Sequence, residues 1–200
     1  LAARGMESSG VPPGWQAGAG LPGIAMLPPL PADGAGMLAA ALAPHRARGD
    51  VTVLSVHWGA NWGFDVPRAQ RRLGHALIDV AGVDVVFGHS AHHPMGIELY
   101  RGKLILHGCG DLINDYEGIG GQEDFMPRLA VAFILDIDQQ TGRAAGLEML
   151  PYRRRAFALE RARAGEVDWL HAMLARESLL ADAALERSGP GAIRLVMAAG

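Results

Sequence analysis

Two short, almost unbroken apolar runs constrain this chain more than any other feature: VTVLSV at residues 51–56 and VDVVF at residues 83–87. Runs without polar–apolar alternation belong to strands covered on both faces, as in parallel sheets. Parallel neighbours need a crossover, and the intervening segment carries one. Pro67 stands where proline is tolerated at a helix start. Leu73, Leu77 and Val80 recur at spacings of four and three, and Gly82 supplies a stop. The pattern predicts a right-handed strand-helix-strand unit over residues 51–87, with both strands ending at the same sheet edge. Ligands in open α/β sheets bind at that edge.

Histidine is what leaves those strand ends. Six of the eight histidines fall between residues 51 and 115. His57 directly follows the first run, His89 follows the second after Gly88, and His92 comes three residues later. Imidazole is the commonest metal ligand and the usual acid or base near neutral pH. Two strand exits that both deliver it predict a shared metal or hydrolytic centre at His57, His89 and His92. Gly59 and Gly63 permit close backbone approach, and Trp58 and Trp62 wall a pocket. Adjacent side chains in an extended loop point opposite ways, so His93 is not an equivalent ligand, and Pro94 keeps it extended. His107 reads as a strand-end residue bonded to backbone. His75 pairs with Asp79 four residues on, and His45 and His171 read as surface residues.

Among the acids, Asp111 follows a strand and is open to two readings: turn chemistry, or a ligand or partner that orients a histidine. Glu98 lies where it could fix an imidazole tautomer. Cys109 has no Cys–His spacing that would make it a nucleophile. Arg153, Arg154 and Arg155 are open to an anion-binding reading but read first as a solvated strand end.

The remaining elements follow from punctuation. Residues 1–36 form a Gly/Pro-rich irregular lead-in. Residues 37–48 read as a helix with Asp33 as cap and Gly49 as stop, and Pro44 as a kink. Residues 96–100 and 103–106 form a hairpin, and 108–127 a long loop that includes Asn114 and Asp115. A second hairpin joins 129–137 to 146–153. An amphipathic helix spans 166–180, and a last strand 192–197. The net charge of -3 with no basic run argues against nucleic acid. No apolar segment reaches the roughly 18 residues that would span a membrane. One cysteine rules out an internal disulfide and does not separate cytoplasm from cell envelope.

The motifs together resemble the CapA, or poly-γ-glutamate capsule biosynthesis, family of the calcineurin-like metallophosphoesterase superfamily. The resemblance is carried by Ser55-Val56-His57-Trp58-Gly59 with Asn61-Trp62-Gly63, by Gly74-His75 with Asp79, and by Gly88-His89-Ser90-Ala91-His92-His93-Pro94. It continues through Gly96-Ile97-Glu98 and Gly108-Cys109-Gly110-Asp111 to Gly120. It implies an α/β fold, a metallo-dependent phosphatase-like α/β/β/α sandwich, with residues 37–200 as the C-terminal portion of one domain. It also implies a two-metal hydrolase-type site using Mn, Fe or Zn. His57 and His89 would serve one ion and His92 the other. Trp58, Asn61 and His93 would face substrate, and Glu98 and Asp111 would steady the ligands. The implied substrate is a phosphoester or a γ-glutamyl polymer. The alternative is a non-catalytic scaffold that binds an anionic polymer. The family's early Gly-Asp and Asn-His ligand blocks do not occur before residue 51. The expectation is therefore a fold incomplete at its N-terminus, which needs an upstream segment for tight metal binding and solubility.

Overall fold

The computed structural model of the chain describes residues 31–114 and 120–197, with Trp15, Gly20 and Gly23. Two sheets pack face to face in an α/β sandwich. The first contains β1 (Val53–His57), β2 (Val85–His89), β3 (Ile97–Tyr100) and β4 (Lys103–Leu106) in the order β1-β2-β4-β3. β1, β2 and β4 are parallel, and β3 closes an antiparallel hairpin on β4. The second sheet is antiparallel, with β5 (Leu129–Ile137), β6 (Ala144–Arg155), β9 (Ala192–Met197) and β8 (Ala183–Ser188) in that order, and β7 (Ala158–Arg161) on β6.

Strand alternation sends side chains to two cores. Val56, Val86 and Ile105 face α2 (Arg68–Asp79) and α1 (Pro31–Leu42), where Leu77, Ile78 and Val83 complete one cluster. Leu104, Leu106, Ile97 and Leu99 point the other way, into the sandwich, and meet Leu129, Val131, Leu147, Met149 and Ile193. Val167, Leu170, Met173 and Leu174 of α3 (Ala164–Glu177) enter this second cluster. Each such side chain, fully buried, contributes on the order of 1.5–3 kcal/mol.

The β1-α2-β2 unit forms as expected, in register from Val53↔Val85 to His57↔His89. Its details differ in two places. Val80 is 55% exposed, and Ile78 takes its place against the sheet. Among the described residues β1 is the sheet edge, and Val53 is 59% exposed. The first helix is displaced from 37–48 to Pro31–Leu42, with a 3-10 turn at Ala43–His45. Pro31 fits a first turn. Gly34 and Gly36 inside the helix each cost about 1 kcal/mol, which the packing of Leu38 and Ala39 beside α2 offsets. Residues 31–36 of the expected lead-in therefore belong to this helix, and the rest, apart from three residues, lies outside the described residues, as does Asp115. β7 and β8 had no strand signal. Ala183–Ser188 (AALERS) has helical propensity, and pairing with β9 overrides it.

Candidate functional site

Period-two alternation decides which histidines can meet. Val53, Ser55 and His57 lie on the sandwich side of β1, and their partners Val85, Phe87 and His89 lie on the same side of β2. The His57 and His89 rings consequently stand 5.3 Å apart, edge to face, at the carboxyl ends of parallel strands. Burial, and then the neighbouring His57, holds the His89 pKa below the ordinary histidine value. A neutral imidazole is the form that binds a metal.

The loop after β2 is strained. Ser90 has φ 134°, a region L-residues rarely occupy, and such outliers cost about 1–3 kcal/mol and cluster at functional sites. Its hydroxyl lies 3.4 Å from both Gly59 O and Asn61 Oδ1. Sequence reading passed over Ser90, because nothing in its type signals an unusual backbone. The turn brings His92 back toward the β1 exit loop, where its N–H donates to Asn61 O at 3.0 Å. His92 Nδ1 donates to Asp111 Oδ2 at 2.9 Å, and the ring lies 5.6 Å from Trp62. Gly110, at φ 67°, permits the turn that presents Asp111; a Cβ there would come within 3.1 Å of the His93–Pro94 peptide.

Other assignments meet different surroundings. His93 is fully buried between Trp62, Phe64 and Phe125. Its Nδ1 donates to Pro94 O at 2.9 Å and its Nε2 accepts from Gly63 N–H at 3.2 Å. Both nitrogens are satisfied by one neutral tautomer, so His93 pins two loops together and does not face a substrate. Burial is the main cause of its lowered pKa. Trp58 turns onto the helix side of the sheet, stacks on His107 at 5.9 Å and donates to His107 O at 2.9 Å. Trp62, and not Trp58, is therefore the tryptophan that lies beside His92. Cys109 is buried, and burial pushes its thiol pKa far up, which agrees with an inert side chain.

Glu98 holds imidazoles, but on the opposite face from His57 and His89. It accepts from His107 Nε2 at 3.0 Å and from His75 Nε2 at 2.5 Å, with Arg71 at 3.6 Å. His107 thus bonds a carboxylate through its ring, whereas sequence reading gave it a backbone partner. His75 stacks on Tyr100 at 3.8 Å, and Tyr100, not His75, reaches Asp79. Of the arginine cluster only Arg155 is solvated, with its side chain 61% exposed. Arg154 is 11% exposed and donates to Pro127 O, and Arg153 lies 3.7 Å from Glu166.

The donor set suits a divalent metal in kind: two imidazoles side by side, and a third held by a carboxylate, as ligating histidines commonly are. It is not a closed shell. Among the described residues no three His, Cys, Asp or Glu side chains are gathered around one centre. No described helix is long and apolar enough to cross a membrane.

The family model for the bacterial capsule synthesis protein PGA_cap matches residues 2–116, which include both strand exits and Asp111. The chain is 43% identical over 173 residues to the probable polyglutamine synthesis accessory protein of Mycobacterium tuberculosis H37Rv, a match covering 86% of this chain and 45% of that protein. It is 36% identical over 66 residues to the PGA biosynthesis protein CapA of Bacillus subtilis, covering 33% of this chain and 17% of that one. A weaker match, 28% identical over 72 residues, links it to the capsule biosynthesis protein CapA of Bacillus anthracis. The chain spans about half the length of the Mycobacterium relative. By the extent of the family match, the chain belongs to the bacterial capsule synthesis protein PGA_cap family.

Proposed function

We propose that the chain is the site-bearing part of a poly-γ-glutamate synthesis accessory protein, and that the β1 and β2 exits contribute imidazole ligands to a two-metal hydrolase-type site. The observation that carries this reading is the placement of His57 beside His89 at parallel strand ends, where burial lowers the His89 pKa. His57 and His89 would hold one ion and His92 the other, with Mn, Fe or Zn as the fitting class. Such ions lower the pKa of a bound water and polarise the oxygens of the reacting group. The chain's own residues orient and shield. Asp111 fixes the His92 tautomer, Trp62 covers one side of that ring, and Ser90 and Asn61 set the loop between the histidines. The substrate class is a phosphoester or a γ-glutamyl polymer, and the reading requires further ligands from outside the described residues.

One observation favours a second reading, a non-catalytic scaffold for an anionic polymer: the described donors do not form a closed shell. Metal retention separates the two. After loading with Mn or Zn and desalting, the wild-type protein should keep more metal than the H57A/H89A/H92A variant. Equal retention by the triple variant removes the metal reading and leaves the scaffold.

A further inference from the structure

We infer that Arg154, on the second sheet, is a positioning residue for His92 on the first, acting through Asp111. Three observations meet at one oxygen. Asp111 Oδ2 accepts from His92 Nδ1 at 2.9 Å and from Asn114 Nδ2 at 2.6 Å, and it lies 3.5 Å from Arg154 Nη1. Arg154 is itself fixed: it sits near the end of β6, its Nη2 donates to Pro127 O, and its backbone N–H donates to Arg128 O at 2.8 Å. Its Nε and Nη1 are buried without a hydrogen-bond partner. A buried guanidinium is strongly disfavoured unless an anion compensates it. Among the described residues, Asp111 is the anion in reach. The arginine's need for a counter-charge and the carboxylate's position are therefore one arrangement.

The consequence for His92 is chemical. A carboxylate only accepts, so His92 Nδ1 must carry the proton, and whenever the ring carries one proton its lone pair lies on Nε2. A histidine in water is not locked in this way. Arg154 keeps the carboxylate in place, the carboxylate selects the tautomer, and β6 thereby helps to set the donor atom at the strand exits. For its functional consequence this inference rests on the proposed role of His92; for its geometry it does not.

The test uses the whole chain labelled with 15N-histidine, read by long-range proton–nitrogen correlation at one pH near 7.5, with H92Q to assign the His92 signals. Wild type should show His92 in the Nδ1–H form. R154Q should move a substantial part of the population to the Nε2–H form, and R154K should restore part of the wild-type balance. D111A should show the same loss, and R154Q/D111A should add nothing to D111A. Amide spectra report the fold; if R154Q does not fold, R154M, which keeps the stem volume, replaces it. A folded R154Q or R154M with the wild-type tautomer overturns the inference. So does a further shift when R154Q is added to D111A. If the tautomers respond as stated while wild type binds no Mn, the relay stands and the metal reading falls.

Discussion

Glu98 is 5% exposed and still accepts from two imidazoles, with a guanidinium near by. Burial pushes its pKa up, but the hydrogen bonds and charges of His107 and His75 outweigh it, and the net shift is downward. The sign of the pH dependence follows. An unfolded glutamate takes up a proton near pH 4.3, whereas the folded one stays ionised lower. The unfolded chain then binds more protons, so this contribution is complete above about pH 4.5 and is lost as pH falls through the folded value. Glu98→Gln should cost roughly 1–3 kcal/mol at pH 7. It should also flatten the fall in urea stability below about pH 4.5; an unchanged slope would show that Glu98 is not the titrating group. The role of Glu98 as an imidazole partner was legible, because it lies on a strand among histidines. Which imidazoles it meets was not, because that depends on the β3–β4 hairpin register. The setting of Arg154 was illegible for a similar reason. Three consecutive arginines look solvated until the loop carrying Asp111 folds back over the second of them.

At the level of elements, β1, α2 and β2 could be read because every local signal agrees: two apolar runs, Pro67, a helical stripe and Gly82. α1 and β8 could not. Two glycines argue against a helix at Pro31–Leu42, and AALERS argues against a strand at Ala183–Ser188. In both cases packing or pairing wins over propensity. Gly88 shows how tightly β2 and β4 are matched. A Cβ there would lie 2.2 Å from Trp58 Nε1 and 2.6 Å from the carbonyl oxygens of Leu106 and His107. Backbone cannot yield as a flexible side chain does. Gly88→Ala should therefore destabilise the protein by about 3 kcal/mol or more, at or above the upper end of ordinary overpacking. A loss under about 1 kcal/mol in urea unfolding would mean that the Trp58–His107 contact is loose.

For the molecule as a whole, the two sheets divide the work. The first supplies histidine at its strand ends, and the second supplies the inner wall and, through Arg154, a counter-charge for Asp111. Among the described residues the second sheet leaves β1 uncovered, with Val53 and Ser55 exposed on the sandwich side. An open, apolar edge strand invites pairing with another chain. Val53→Lys should lower self-association in sedimentation velocity while shifting stability by no more than about 0.5 kcal/mol. Unchanged association would place the sticky surface elsewhere.

In the proposed reading, His57, His89 and His92 form the metal-seeking end of this fold. Paramagnetic broadening tests it most directly and does not require tight binding. Sub-stoichiometric Mn added to the 15N-histidine-labelled chain should broaden the ring signals of His57, His89 and His92 first. His45, His75 and His171 should remain sharp. Uniform broadening of all eight histidines, or earlier loss of His45 or His171, would contradict the account.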